Sequence, residues 1–170
     1  VKGQVFRAAG KAFNQMLAAA GAGIQKMPSS EIYNGLQTGV LTGANTSSGS
    51  FVSYRIYEQV KCATPPGKFG LWFMYEPILM SKKSFDALDS KQQKALMKAG
   101  KKAEKFMTKE AAGLDTTMEK AYKKAGVELS YMKQEDFDAW LAIAKKSSYK
   151  NFAEKVPNGQ KLIDMALAVK

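Results

Sequence analysis

The chain has 170 residues, 45% of them apolar and 24% charged, with one cysteine and no histidine. That profile suits one globular domain with a proper core, and it excludes an intrachain disulfide, a cysteine-built zinc cage and the usual histidine-based hydrolase triad. The formal charge of +11 comes mostly from lysines between Lys82 and Lys161, mixed with Asp and Glu, while Arg7 and Arg55 are the only arginines.

Val5 and Phe6, in the opening KGQVFRA, predict a short strand with Arg7 at its end. Phe13, Met16, Leu17 and Ala20 recur at helical spacing and predict a helix over 9–20 that stops at Gly21. Gly23 to Met27 reads as a second strand around Ile24. The stretch PSSEIYNGLQTGVLTGANTSS, residues 28–48, reads as a short helix and then a loop. Ser29 or Ser30 is placed to cap the helix, Glu31 suits the positive end of its dipole, and Gly39 is the expected stop. Ile32, Leu36 and Val40 share one face. The loop Gly43–Ser48 carries many donors and acceptors and no bulk, which suits a ligand better than a core, although an ordinary helix connection has the same look. Strand, helix, strand, helix over the first forty residues predicts a βαβα unit with a parallel sheet and right-handed crossovers.

Phe51 to Val60 is predicted as a helix with Phe51, Tyr54 and Tyr57 along one stripe, and Lys61 to Thr64 as a strand ended by Pro65-Pro66-Gly67. An aromatic strand is expected over Phe69–Met80, at a sheet edge or kinked, because Pro77 has no N–H for a ladder. Its Trp72, Phe73 and Tyr75 fit a core or the apolar wall of a pocket. Ser84 to Leu88 is a helical turn. Asp89 with Gln92 three residues later matches a capping box and opens a helix that runs to Ala125, with Gly126 as its stop. At 1.5 Å per residue that helix is roughly 50 Å long, longer than a domain of this size is wide, and Gly100 and Gly113 are its weak points. Val127 to Met132 is a strand, Asp136 to Val156 is helical with a break near Ser147-Ser148, and Gln160 to Val169 is a final helix.

No GxGxxG, Walker A or EF-hand sequence is present, and the longest apolar run, Phe69–Met80, is interrupted by Glu76 and Pro77 and too short to cross a bilayer. The first residues, Val1-Lys2-Gly3, are not a charged region leading into an apolar one. The chain is therefore expected to be a mature form or a fragment.

Taken together, KGQVFRAAG, the MPSSEIYNGLQTGVLTGA block, YRIYEQVK, the aromatic segment and LDSKQQKALMKAGKKA resemble one family. It is the extracytoplasmic solute receptors of tripartite ATP-independent periplasmic (TRAP) transporters, of the DctP type. The similarity runs through essentially the whole chain and is most specific in the SSEIYNGLQTGV block and the arginine ending the first strand. The resemblance implies an α/β receptor of roughly twice this length whose two lobes close on a ligand. This chain is similar to the second lobe of that periplasmic-binding-protein-like fold, a βαβα sheet with a long spanning helix and C-terminal helices. It implies residues 1–88 as the ligand-binding lobe, 89–126 as the spanning helix, and 127–170 as a strand with C-terminal helices. The N-terminal lobe is expected to be absent from this chain.

The resemblance also implies roles. Arg7 matches the arginine that clamps the substrate carboxylate; a guanidinium is a planar fork that keeps its charge in a closed cleft. Thr46, with Asn45 before it, stands where an asparagine often bonds the same carboxylate, and this loop departs from the acidic-Asn-Pro pattern of many members. Thr42 replaces a common aspartate. Trp72 and Phe73 lie near cleft-lining positions, and Ser29 matches a position where some members place an aromatic. The implied function is capture of a small organic anion, a carboxylate by this match, and its delivery to membrane permease subunits in the periplasm. No cofactor, metal or catalysis is implied, and the leader is expected to have been removed. Two other readings come from the residues themselves. Net charge alone fits a basic module on nucleic acid or a membrane surface, although nucleic-acid surfaces more often cluster arginine with aromatics. Glu31, Glu58 or Glu76 fits a hydrolase or transferase, although no carboxylate pair is set by spacing.

Overall fold

The computed structural model describes residues 1–73 and 75–169; Met74, inside the expected aromatic strand, and Lys170, in the expected C-terminal segment, lie outside the described residues. Strand β1 (Val5–Arg7) leads into helix α1 (Gly10–Ala19), which buries Phe13, Met16 and Leu17 at the predicted spacing. Strand β2 (Gly23–Ile24) follows, then a 3₁₀ turn (Ser29–Glu31), helix α2 (Ile32–Gln37) and strand β3 (Gly43–Ala44). The three strands form a parallel sheet in the order β2-β1-β3, so the predicted βαβα unit is present.

Two expectations for this region are corrected. Neither Ser29 nor Ser30 caps a helix through its side chain, because the 3₁₀ turn supplies a backbone partner instead: the Glu31 amide donates to the Pro28 carbonyl at 3.1 Å. Gly43 and Ala44 are not loop but strand, paired with Phe6 and Arg7. Gly43 is there for space. A Cβ at that position would run into the Phe6 ring, which lies across it.

Helix α3 (Ser48–Ser53) is capped by Ser47, whose hydroxyl accepts from the Ser50 amide at 3.2 Å. The helix predicted to reach Val60 stops early. Arg55 takes a left-handed conformation (φ 54°) and a 3₁₀ turn, Ile56–Glu58, follows. That turn lets Ile56 point inward, where it is 1% exposed beside Ile32 and Leu41. Strand β4 (Cys62–Ala63) pairs in parallel with β5 (Glu128–Leu129), joining the far end of the chain to the first part.

The aromatic strand over Phe69–Met80 is not formed among the described residues of that stretch. Pro77 lacks an amide donor, and among the described residues no strand pairs with the segment to complete a ladder. Phe73, Tyr75, Ile78 and Leu79 are 82–87% exposed as a result. Helix α4 (Lys82–Asp86) precedes the expected capping box: the Gln92 amide donates to Asp89 at 2.8 Å and the Asp89 amide to Gln92 at 3.0 Å. Helix α5 (Ser90–Ala111) buries no residue, and the helix predicted to be continuous is interrupted at Ala112–Gly113 before α6 (Leu114–Lys124). Gly126 ends α6 at φ 77°, a value glycine adopts without steric cost. Met118 and Tyr122 of α6 are 1% and 0% exposed, packed with Val127 against Phe51, Val52 and Tyr57.

Helix α7 (Gln134–Ala144) runs through a π-helical stretch, Lys145–Tyr149, into α8 (Lys150–Lys155), so the break expected near Ser147-Ser148 is a widened turn rather than an interruption. It presents Ala144, Ile143 and Tyr149 to the α1 core beside Trp140. Helix α9 (Gly159–Leu167) ends the described chain.

Candidate ligand site

Arg7 is the last residue of the central strand, and its backbone is paired with Ala44 of β3. Its guanidinium, partly buried, donates from Nε to the Met27 carbonyl at 3.0 Å and from Nη1 to the Asn45 carbonyl at 2.8 Å. Both acceptors are neutral main-chain oxygens from the segments just beyond β2 and β3. Among the described residues no Asp or Glu forms an ion pair with it. Burial pushes its pKa below the ordinary guanidinium value. A positive charge partly withdrawn from water, with no ion-pair partner among the described residues, is an anion site in waiting.

That charge opens on a concavity of about 580 Å³. Its polar wall is Ser29, Thr46, Ser47, Ser50 and Ser53, and its apolar wall includes Trp72, Met107 and Leu114. Thr46 is 8% exposed and follows β3, which aims it into the same space as Arg7. Trp72 is half-buried, one side against the α1 core and the other lining the concavity. Arg7, Ser29, Thr46 and Trp72, four of the six residues named from the sequence, therefore line one concavity.

Two expected residues stand differently. Asn45 lends its main-chain carbonyl to Arg7, and its side-chain Oδ1 is buried without a partner among the described residues, so the residue holds the cation rather than lining the concavity. Phe73 is 87% exposed and outside the lining. The structure adds residues that sequence reasoning did not place here: Glu76, a carboxylate on the wall of the same concavity, and Met107 from α5. Glu76 was visible as an acid within an apolar run, but nothing in the sequence connected it to Arg7.

The family model for bacterial extracellular solute-binding protein, family 7 (DctP), matches residues 1–155, which include every residue of this site. The chain belongs to this family. Family 7 proteins are solute-binding receptors, not enzymes. A solute-binding protein of Albidiferax ferrireducens is 36% identical over 165 residues, covering 97% of this chain and 49% of that protein. A TRAP periplasmic solute-binding protein from Rhodoferax ferrireducens, solved with bound malonate, superposes with a TM-score of 0.88 at 33% identity, over 99% of this chain and 56% of that one. A second, from Bradyrhizobium sp. BTAi1 in complex with galacturonate, gives 0.77 at 25% identity, over 96% of this chain and 53% of that one. The α/β fold is thus that of one lobe of TRAP periplasmic solute-binding proteins, and the chain spans about half the length of the relatives it matches. Among the described residues no helix is long and apolar enough to cross a membrane.

Proposed function

We propose that this chain is the ligand-clamping half of a periplasmic TRAP receptor that captures a small organic acid and hands it to membrane permease subunits. Residues 1–88 carry the binding face, 89–126 the helical span toward a second lobe, and 127–170 complete this lobe through the β4–β5 pairing. The observation that carries this reading is Arg7. Two of its donors are used on main-chain carbonyls, which fixes the plane of the fork, and its charge is left for a guest in a concavity lined by hydroxyls. A carboxylate accepts from the remaining guanidinium edge and from the Thr46 hydroxyl, while Trp72 packs against the carbon skeleton. Ser29 and the serines of α3 supply further partners for ligand hydroxyls.

Glu76 refines the ligand class. A carboxylate facing the same space as Arg7 repels a second acidic group and accepts from a hydroxyl or ammonium. The favoured guest carries one carboxylate and at least one hydrogen-bond donor. Relatives solved with malonate and with galacturonate support an organic acid as the guest.

Thermal unfolding of the full-length protein against a panel of organic acids tests the assignment. A ligand at a hundred times its dissociation constant adds about 2.7 kcal/mol of stability. Arg7→Ala should abolish that gain, and an unchanged gain in the variant would reject the clamp.

A further inference from the structure

Helix α5 contains seven lysines, Lys91, Lys94, Lys98, Lys101, Lys102, Lys105 and Lys109, and they are not scattered. Steps of three or four residues, with Lys101 and Lys102 adjacent, put all of them inside one sector roughly 100° wide at 3.6 residues per turn. The stripe is about 27 Å long at 1.5 Å per residue. Neither acid of the helix, Glu104 or Glu110, falls inside it. All seven lysines are exposed, and among the described residues none takes part in an ion pair. Their mixture with acids in the sequence is therefore resolved in three dimensions into a face of one sign.

On this lobe the face is uncovered, and the apolar residues of the helix lie off it. Leu96, Phe106 and Met107 lie on another side, and Met107 lines the ligand concavity. The lysine stripe is turned away from the site and from the apolar side. Beside it Phe85 of α4 and Met97 share a shallow concavity of about 600 Å³ with Lys94, Lys98, Lys101 and Lys105. Met97 is 58% exposed.

We propose that this face docks the receptor on an anionic phospholipid surface. A straight row of flexible ammonium groups, without the arginine forks that read a fixed geometry, matches phosphate headgroups that move laterally to meet it. Met97 and Phe85 at the edge of the row add the apolar contact that interfacial helices use. Docking of this kind holds the receptor near the plane of the membrane and shortens its search for a permease. It is independent of ligand binding, since no lysine of the stripe lines the ligand concavity.

Flotation of the full-length protein with vesicles tests this. Vesicles of equimolar phosphatidylcholine and phosphatidylglycerol should retain the protein at low salt, and vesicles of phosphatidylcholine alone should not. Replacing Lys94, Lys98, Lys101 and Lys105 together by Gln should weaken retention by about tenfold or more. The same number of charges removed elsewhere, at Lys61, Lys133, Lys145 and Lys146, should weaken it far less. Equal losses in the two variants would reduce the effect to net charge and overturn the proposal. Absence of vesicle binding would overturn it too, and stripe-dependent capture of purified permease subunits in that case would assign the face to an acidic protein. Ligand-induced thermal stabilisation should be the same in both variants and the parent.

Discussion

The Nη1 of Arg7 donates to the main-chain carbonyl of Asn45 at 2.8 Å, so the cation at the end of β1 is held by the backbone that leaves β3. The sheet register and the clamp are one construction: Arg7 pairs with Ala44 in the ladder, and the next carbonyl along fixes its side chain. Arg7→Lys keeps the charge and loses the fork. Affinity for an organic acid should fall about tenfold or more, since a hydrogen bond to a charged group contributes about 1.5–3 kcal/mol. Titration calorimetry reads this, and the variant's unfolding midpoint checks that the lobe is intact.

Glu76→Gln removes the negative charge from the wall of the concavity. Binding of a diacid such as galactarate should strengthen by about tenfold, while galacturonate, with one carboxylate on the same carbon skeleton, should change much less. Competition binding with this pair measures the ratio. An unchanged ratio would remove Glu76 from the specificity account and leave Arg7 in place.

Gly43→Ala puts a methyl into the Phe6 ring across the β1–β3 pair. Overpacking of that kind costs about 1–3 kcal/mol and displaces the strand that carries Asn45 and Thr46. Denaturant unfolding should show the loss, and ligand affinity should fall with it although Gly43 touches no ligand.

Tyr122 is fully buried, and among the described residues its hydroxyl has no hydrogen-bond partner. Burial raises its pKa well above the ordinary phenol value, with the nearby Tyr57 adding to the shift. Ionisation is disfavoured in the folded state, so the neutral phenol contributes its stability below about pH 10, the unfolded value, and that contribution is lost as pH rises from there toward the higher folded pKa. The unfolding midpoint should decline above about pH 10. Tyr122→Phe should flatten that decline and raise stability at neutral pH by about 1 kcal/mol, because an unpaired buried hydroxyl is removed while the ring contacts with Phe51 and Tyr57 remain.

Much of this arrangement was legible before the structure, and the parts that were not have a common cause. The Asp89–Gln92 box, the Phe13–Met16–Leu17 stripe and the stop at Gly126 are local signals, and each appears where expected. Strand β3 consists of two small residues that carry no strand signal of their own, and their partner β1 lies nearly forty residues earlier. The 3₁₀ turn at Ser29–Glu31 replaced a serine cap with a backbone bond that composition does not reveal. Strand propensity in Phe69–Met80 counted for nothing without a neighbouring edge to pair with. At the site, the resemblance implied Arg7, Asn45, Thr46, Trp72, Phe73 and Ser29, of which Arg7, Ser29, Thr46 and Trp72 line one concavity. It could not say that Asn45 acts through its backbone, or that Glu76 shares the concavity, since both depend on how distant segments meet.

The most direct test of the account is a crystal structure of the full-length receptor with its tightest-binding organic acid. The account predicts a ligand carboxylate within hydrogen-bond distance of the Arg7 guanidinium and the Thr46 hydroxyl, with Trp72 against the carbon skeleton. A ligand seated elsewhere, or one that leaves the Arg7 charge without contact, would contradict it.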